Sequence, residues 1–281
     1  MRRVSLLAVV LILITAVFAS AYPFSIKDAR GKTVVFKRKP VRIVTLTPAL
    51  AENVCAVGCG KYLVGVSDGT DYPAETKSKP HVGSVKLNTE RIVSLKPDLV
   101  LADTDLNVSS IGRLEKLGLK LFCVSDPDIA SVKANLLTIG KITSHPATAK
   151  KAAADLDRAV KEAKAAKKSG KRALFIVQLN PLWAAGRDTY TDETIRMCGA
   201  LNVCGGGRGF CKMSREKTVA ANPEVIFTCR KEDTQAVLNS PQWRATKAVK
   251  TGKVYTVNPD TSVRPGPRLA KGIRFIAEHL K

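Results

Sequence analysis

The sequence predicts an α/β fold of two Rossmann-like lobes, each with a central sheet flanked by helices. One long helix joins the lobes, and a ligand cleft lies between them. Strand-like apolar runs alternate with helix-like segments through residues 22–281, a pattern typical of parallel sheets covered by helices. The pattern NTERIVSLKPDLVL at 88–101 recurs as SREKTVAANPEVIF at 214–227, which predicts two equivalent lobes. An alanine- and lysine-rich stretch at 150–172 separates the two copies.

The first lobe is predicted to span residues 22–144. Apolar, β-prone runs predict strands at 42–46, 63–66, 99–102 and 120–124. Helices are predicted at 49–57, 90–95, 109–117 and 129–140. Gly58 and Gly118 end two of these helices, and Pro97 stops the helix that Asn88 caps.

Residues 145–170 are predicted to form the linking helix. Alanine and lysine are strong helix formers, and about 20 helical residues span roughly 30 Å. The apolar stripe is narrow, so most of this helix should be solvated. It consists of Leu156, Ala159, Val160 and Ala163. A single long helix should restrict hinge bending more than a pair of loops would.

The second lobe, residues 171–281, repeats the plan of the first. Strands are predicted at 173–179, 225–228 and 254–257. Helices are predicted at 191–198, 216–221, 242–247 and 268–280. The pair Glu193 and Gly199 has the same spacing as Glu52 and Gly58 in the first lobe.

The N-terminus, residues 1–21, is predicted to be a signal peptide. Arg2 and Arg3 precede an apolar run from Leu6 to Phe18, and Ala19-Ser20-Ala21 forms a small-x-small cleavage site. The alternative is an uncleaved membrane anchor, although the apolar run is shorter than the ~20 residues a spanning helix needs. No cysteine follows the run, so we expect no lipid anchor. We expect a soluble periplasmic chain.

The formal net charge of +22 is large for 281 residues. Basic surfaces bind nucleic acid, anionic lipid or anionic ligands, and they can also simply be solvated. The charge is spread along the chain without interleaved aromatics, so we do not expect nucleic-acid binding. Interaction of the basic face with acidic polymers stays open as an alternative of another class.

Seven cysteines occur in the chain, and an exported protein can form disulfides. We expect buried thiols with one or two disulfides, and an odd count leaves at least one thiol unpaired within the chain. Cys198, Cys204 and Cys211 surround a glycine-rich loop, which leaves a cysteine-dependent metal or redox protein as an alternative. No C-x2-C pair is present and the histidines lie elsewhere, so no metal site is expected.

Glu90 and Glu216 occupy the same position in the two copies of the repeat. Each lies in the first turn of a predicted helix, where the helix dipole favours an acid by ~0.3–1 kcal/mol. That local role is one explanation. The other is display of one carboxylate per lobe on a common face, where each could accept a bidentate arginine.

The whole region after the signal peptide resembles the helical-backbone solute-binding proteins of ABC importers, which serve cobalamin, ferric siderophores and haem. The cobalamin-binding branch is the most similar. The resemblance rests on Arg42–Pro48, Leu63–Ser67, Asp71-Tyr72-Pro73, Asn88–Ala102, Asn180-Pro181, Ser240–Trp243, Ala248–Tyr255 and Arg264–Arg268. FSIKDARGKTVVF at 24–36 resembles the N-terminal β-hairpin of iron-siderophore members.

The resemblance implies a monomeric receptor that binds a small molecule between its lobes and docks on a membrane permease. It implies docking through Glu90 and Glu216, each against an arginine pocket of the permease. It implies no enzymatic activity and no cofactor of the protein's own. The implied ligand is cobalamin or another metal chelate, with a ferric siderophore or haem as the alternative.

Ligand contacts are expected from loops at the carboxyl ends of strands, facing the cleft. The predicted ligand-binding residues are Pro48, Ala49, Gly69, Val85, Trp183, Arg187, Phe210, Asp260 and Arg264. Trp183 could stack on a ring system or simply pack at a lobe edge. Phe210 could be a lid contact in the loop GGGRGFCK. The arginines could meet ligand anions or pair with acids such as Asp260.

Two positions depart from the cobalamin-binding pattern. Gly69 and Val85 stand where cobalamin binders carry aromatics that sandwich the corrin, so this sequence lacks that feature of the branch. The glycine-rich loop lacks the spacing of a phosphate-binding P-loop. The histidines are scattered without acid or nucleophile partners, so no catalytic site is predicted.

Overall fold

The computed structural model describes residues 22–166 and 168–281. The predicted signal peptide, residues 1–21, lies outside the described residues. Among the residues described, no helix is both long and apolar enough to cross a membrane.

The first lobe is built on a four-stranded parallel sheet. A two-stranded antiparallel hairpin precedes it, as the resemblance implied. The elements are β1 (Phe24–Lys27), β2 (Thr33–Phe36), β3 (Ile43–Thr45), α1 (Pro48–Ala56), β4 (Leu63–Gly65), α2 (Thr89–Ser94), β5 (Leu99–Asp103), α3 (Val108–Lys116), β6 (Leu121–Val124) and α4 (Ile129–Ile142). The strand order is β4-β3-β5-β6. All residues of β3, β5 and β6 are buried, as expected for strands covered on both faces.

The long helix α5 (Pro146–Ala165) follows the first lobe. It packs against α1 and α4 of the first lobe and against helices of the second. Leu156 and Ala159 belong to one buried cluster that also contains Leu50 of the first lobe and Phe175 and Ile273 of the second. A single apolar core therefore runs through this helix and connects the two lobes.

The second lobe contains a six-stranded mixed sheet. Its elements are β7 (Arg172–Gln178), β8 (Trp183–Ala185), α6 (Tyr190–Met197), β9 (Leu201–Asn202), β10 (Phe210–Lys212), α7 (Arg215–Ala220), β11 (Val225–Thr228), α8 (Lys231–Asn239), α9 (Lys247–Lys250), β12 (Val254–Thr256), α10 (Pro259–Ser262) and α11 (Leu269–Leu280). The order is β10-β8-β7-β11-β12, with β9 also on β7. Strands β7, β11 and β12 are parallel, whereas β8 and β10 are antiparallel additions.

Two details of the second lobe differ from the prediction. A helix is predicted at 242–247, but residues 242–245 form turns and α9 begins only at Lys247. The Thr246 hydroxyl donates a hydrogen bond to the Trp243 carbonyl at 2.7 Å, and Thr246 caps α9. This side-chain hydrogen bond to the backbone takes the place of helical backbone hydrogen bonds before α9. The three short strands β8, β9 and β10 and the helices α8 and α10 were not predicted.

The expected disulfides are absent, because all seven cysteines are free thiols. Five of them are buried, and they belong to separate parts of the two lobes. Burial raises the pKa of Cys204 and Cys229 to about 12, which keeps these thiols protonated. They act as small apolar core residues.

Candidate functional site

A cavity of about 380 Å³ lies between the lobes. The first lobe contributes the loops that follow β5 and β6, and the second contributes the loop before α6, strand β10 and the segment after α10. The lining residues are Asp103, Asp105, Leu106, Asp126, Pro127, Asp188, Thr189, Tyr190, Gly209, Phe210, Val263 and Pro265. Four of the twelve are aspartates and none is basic, so the cavity is acidic within a strongly basic chain.

The first-lobe wall forms because β5 and β6 are parallel neighbours that end at the same edge of the sheet. Asp103, the last residue of β5, pairs in register with Val124 of β6, and Asp126 follows two residues later. The Asp103 carboxylate accepts hydrogen bonds from the backbone N–H groups of Asp105 at 2.9 Å and Leu106 at 2.8 Å. These bonds fix the turn that carries Asp105 and Leu106 into the cavity.

Asp126 differs from Asp103 because, within the described chain, its carboxylate has no hydrogen-bond or ion-pair partner. Burial raises the pKa of Asp126 to about 7, and the carboxylates of Asp103 and Asp105 add to the shift. Asp126 is only half-buried, so a ligand donor could reach its carboxylate and stabilise the charged form.

The second-lobe wall contains two aromatic rings. The rings of Tyr190 and Phe210 meet edge to face, with centroids 5.6 Å apart. Thr189 caps α6 by accepting a hydrogen bond from the Asp192 backbone N–H at 3.1 Å, which places Tyr190 at the start of the helix. Asp188 forms an ion pair with Arg208 at 3.0 Å. The cavity thus has three aspartates on the first-lobe wall, and two aromatic rings with the ion-paired Asp188 on the second-lobe wall.

Of the nine predicted ligand residues, Phe210 lines this cavity. It lies in β10, paired with Ala185 of β8, so it belongs to a sheet and not to the tip of a loop. Trp183 is opposite Lys212 at the far end of the same pair of strands and is 40% exposed. Val85 is 94% exposed.

The remaining predicted residues do not line the cavity. Pro48 and Ala49 begin α1. Arg187 is exposed and its backbone bridges to that of Arg208. Gly69, Asp260 and Arg264 belong to a network of ion pairs and hydrogen bonds between the lobes.

That network centres on Glu52 of α1, whose side chain is 1% exposed. Arg268 binds it in a bidentate manner, with Nη2–Oε1 at 2.6 Å and Nε–Oε2 at 2.8 Å, and Arg264 Nη1 lies 3.3 Å from Oε1. Glu52 belongs to the first lobe and both arginines to the second. Since charge-assisted bidentate pairs are the strong ones, this network is a substantial link between the lobes.

A second acid bridges the lobes in the opposite direction. Glu193 of α6, the counterpart of Glu52 in the repeat, accepts a hydrogen bond at 2.9 Å from the backbone N–H of Ile129 at the start of α4. Each lobe therefore extends one glutamate from its equivalent helix to the other lobe.

The acidic wall was missed in the sequence, although a signal for it exists. The rule that ligands bind at the carboxyl ends of parallel strands applies to the segments after β5 and β6. Their sequences, DTDLN at 103–107 and SDPD at 125–128, are rich in aspartate. Aspartate is also common in ordinary turns, so these segments do not stand out without the register of the strands.

Glu90 and Glu216 are both exposed in the first turns of α2 and α7. The Ser214 hydroxyl donates to Glu216 Oε2 at 2.8 Å. The pKa of Glu216 is lowered by its own backbone N–H and by this hydroxyl. Glu90 has no such partner in the described chain, because its cap Asn88 accepts only from the Arg91 N–H at 2.9 Å.

The described residues contain no group of three or more His, Cys, Asp and Glu side chains that could hold a metal ion. This gives no support to the cysteine-dependent metal alternative.

Two lobes, a shared core and a cavity lined from both sides define a two-lobed ligand receptor. The chain belongs to the family described as "Periplasmic binding protein", which matches residues 43–261. It is therefore a substrate-binding protein of an ABC importer, of the vitamin B12, haem and siderophore type, and not an enzyme. Such proteins bind small molecules outside the cytoplasm and work with a membrane permease.

Individual relatives agree with this assignment. An uncharacterized ABC transporter substrate-binding lipoprotein of Bacillus subtilis, YvrC, is 33% identical, and the alignment covers 92% of this chain and 86% of the relative. The vitamin B12-binding protein BtuF of Vibrio cholerae has a crystal structure with a TM-score of 0.77 and 26% identity, covering 86% of this chain and 96% of that one. The heme-binding protein RhuT of Roseiflexus shares the fold, with a TM-score of 0.75, 24% identity, and coverage of 85% and 97%.

Proposed function

We propose that this substrate-binding protein carries a corrinoid to the permease of its ABC importer. The observation that supports a corrinoid best is the charge of the cavity between the lobes. Asp103, Asp105, Asp126 and Asp188 line it and no basic side chain does. A ligand that presents hydrogen-bond donors fits such a wall, whereas a ligand that presents anions would be repelled.

The candidate ligands differ in the chemistry of their edges. A corrin ring carries primary amides, each of which offers two N–H donors. Haem carries two propionates, which would lie against carboxylates in this cavity. The rings of Tyr190 and Phe210 would contact the apolar part of the macrocycle. A corrinoid is larger than the cavity, so one amide-bearing edge would enter it and the remainder would lie at the mouth.

The test is titration of the purified protein with cyanocobalamin, dicyanocobinamide, haemin and a ferric hydroxamate, followed by tryptophan fluorescence and calorimetry. We expect micromolar or tighter binding of the two corrinoids and weaker binding of haemin. Asp126→Asn should weaken corrinoid binding by about tenfold, since one charge-assisted hydrogen bond would be lost. Tight haemin binding without corrinoid binding would contradict the proposal, and so would equal affinity of the wild type and the Asp126 variant for both corrinoids.

We further propose that the receptor docks on its permease through Glu90 and Glu216. Both carboxylates are exposed in the first turns of equivalent helices, one on each lobe. A carboxylate that has no strong internal partner remains available to an arginine of another protein. Paired charges of this kind set the register of a complex and its rate of formation.

The test of docking separates it from ligand binding. The double variant Glu90→Ala/Glu216→Ala should retain corrinoid affinity and lose uptake in a strain that depends on this receptor. Glu232→Ala is the matched control, because Glu232 is another exposed glutamate in the first turn of a second-lobe helix. Normal uptake with the double variant would leave the two glutamates with only their local helix role.

Export by cleavage after Ala21, without a lipid anchor, and a monomeric state complete the proposal. We treat residues 22–144 and 171–281 as the two lobes and 145–170 as the link. The intact mass of the protein secreted by its host would show a chain beginning at Tyr22, and light scattering would give the monomer mass. A heavier, lipid-modified N-terminus would contradict the anchor-free form.

A further inference from the structure

The segment Val263-Arg264-Pro265-Gly266-Pro267-Arg268 crosses from the cavity to the network between the lobes. We call these six residues the strap. Val263 and Pro265 line the cavity, and Arg264 between them does not. Pro267 and Arg268, at its other end, line a second cavity of about 590 Å³ together with Glu52 and Tyr72 of the first lobe. The strap is therefore a part of the second lobe that lies between these two cavities at the lobe junction.

Arg264 is engaged on both of its terminal nitrogens by groups of the first lobe. Nη1 lies 2.8 Å from Asp71 Oδ1 and 3.3 Å from Glu52 Oε1, and Nη2 donates to the Gly69 carbonyl at 3.3 Å. Nη2 also lies 3.1 Å from Asp260 Oδ1 of its own lobe. Contact with a ligand would require these bonds to break.

Arg268 fixes the other end of the strap. In addition to its bidentate pair with Glu52, its guanidinium lies over the ring of Tyr72, 4.2 Å from the centroid. Three acids and two arginines make up the network, and the guanidinium pKa values of both arginines are raised despite burial, by hydrogen bonds to Asp71 and Glu52 respectively. Both arginines stay charged, so the attachment does not depend on pH in the physiological range.

We propose that the strap is a latch, and that Arg264 is a positioning residue for the ligand site and not a ligand contact. This inference rests on the proposed function for its ligand. By holding the strap on the first lobe, Arg264 and Arg268 fix the distance between Val263 and Pro265 on one side of the cavity and Asp105 and Leu106 on the other. The latch sets the width of the cavity, and ligand affinity then depends on residues that do not touch the ligand.

The shared core limits the other ways in which the lobes could separate. Leu156 and Ala159 of α5 pack in a cluster common to both lobes, so the far side of the junction is held by apolar burial. At the cavity side the contacts are ionic and can exchange with water. Opening for ligand entry should therefore begin at the latch.

The experiment compares Arg264→Gln with Arg274→Gln. Arg274 is the matched control, because it also binds two acids, Asp155 at 2.8 Å and Glu162 at 2.7 Å, but lies in α11 away from the cavity. We expect Arg264→Gln to weaken the binding of cyanocobalamin and dicyanocobinamide by the same factor, about tenfold, through faster dissociation. Arg274→Gln should leave both affinities unchanged.

Equal weakening of the two ligands is the sign of a latch. Dicyanocobinamide lacks the nucleotide phosphate of cyanocobalamin, so a direct contact of Arg264 with that anion would weaken only cyanocobalamin. That result, or unchanged affinity for both, would overturn the proposal. A double-mutant cycle with Asp71→Asn should be non-additive, because both variants remove the same link.

A measurement without ligand separates failure of the latch from failure of the proposed function. Hydrogen exchange of the backbone amides in the strap and in residues 69–72 should be faster in Arg264→Gln than in the wild type, and unchanged in Arg274→Gln. If no corrinoid binds but exchange responds in this way, the latch stands and the ligand assignment fails. Unchanged exchange in Arg264→Gln would overturn the latch whichever ligand binds.

Discussion

The two lobes share one plan but use equivalent acids differently. Glu52 of α1 is almost fully buried and is bound by two arginines of the second lobe. Glu193, at the matching position of α6, accepts one backbone N–H from the start of α4. Both glutamates contact the opposite lobe, so the repeated position of the glutamate determines that such a contact forms. The residues that it meets on the other lobe determine how strong the contact is.

The same contrast applies to the walls of the cavity. The first lobe supplies Asp103, Asp105 and Asp126, from an all-parallel sheet whose strand ends converge. The second supplies Tyr190 and Phe210, with Phe210 brought in by an antiparallel strand that the first lobe lacks. The lobe with the regular sheet thus contributes three of the four aspartates, and the lobe with the elaborated sheet contributes both aromatic rings and the ion-paired Asp188.

The largest expected effect comes from neutralising the two bridging acids in turn. Glu52→Gln should lower the free energy of unfolding by about 3 kcal/mol, because two partly buried arginines lose their shared carboxylate. Glu193→Gln should lower it by less than about 0.5 kcal/mol, since an amide oxygen can still accept from the Ile129 N–H. Urea unfolding of both variants measures the difference. Equal losses of unfolding free energy in the two variants would show that Glu52 and Glu193 contribute equally to stability.

A smaller change in the free energy of unfolding, on the order of 2 kcal/mol, is expected from Asp126 in the acidic wall. Burial raises the pKa of Asp126 from 3.8 to about 7 in the native state. Between these values the folded protein holds a proton that the unfolded chain has lost, so this group lowers stability as pH rises from about 4 to about 7. Asp126→Asn removes the contribution.

The measurement is the difference in unfolding free energy between wild type and Asp126→Asn across that pH range. We expect the variant to gain relative to the wild type as pH rises, with the gain complete above about pH 7. Acids with lowered pKa values, such as Asp71 and Asp155, act in the opposite sense and cancel in the difference. A difference that does not change with pH would show that Asp126 is solvated or paired.

The parts of the fold that were predicted are those in which local signals agree. The capped helices at Asn88 and Ser214 and the buried strands that follow Pro97 and Pro223 were placed to within a residue or two, because caps, prolines and apolar runs act locally. Strands β8, β9 and β10 were missed, since they are two or three residues long and form only through pairing with distant segments.

The site was harder to predict than the fold. Arg264 was predicted to contact the ligand, with pairing to an acid such as Asp260 as the alternative. Two of its partners, Glu52 and Asp71, lie 212 and 193 positions away in the chain. Whether an arginine faces a ligand or an acid depends on that long-range packing. Asp126 was missed for the related reason that an aspartate before proline is usual in a turn, and its isolation from partners is a property of the assembled cavity.

The smallest expected effect tests the two copies of the repeat against each other. Asn88→Ala and Ser214→Ala should each lower stability by about 1 kcal/mol, because each removes the side chain that caps a helix.

Only Ser214→Ala should also raise the pKa of Glu216, since the Ser214 hydroxyl donates to that carboxylate. Titration of the Glu216 side chain by NMR in wild type and Ser214→Ala would show it. A Glu216 carboxylate released in this way would keep its charge at neutral pH and lose its fixed orientation, so uptake should fall slightly in Ser214→Ala and stay normal in Asn88→Ala. Equal uptake by the two variants would mean that the orientation of Glu216 before docking does not matter.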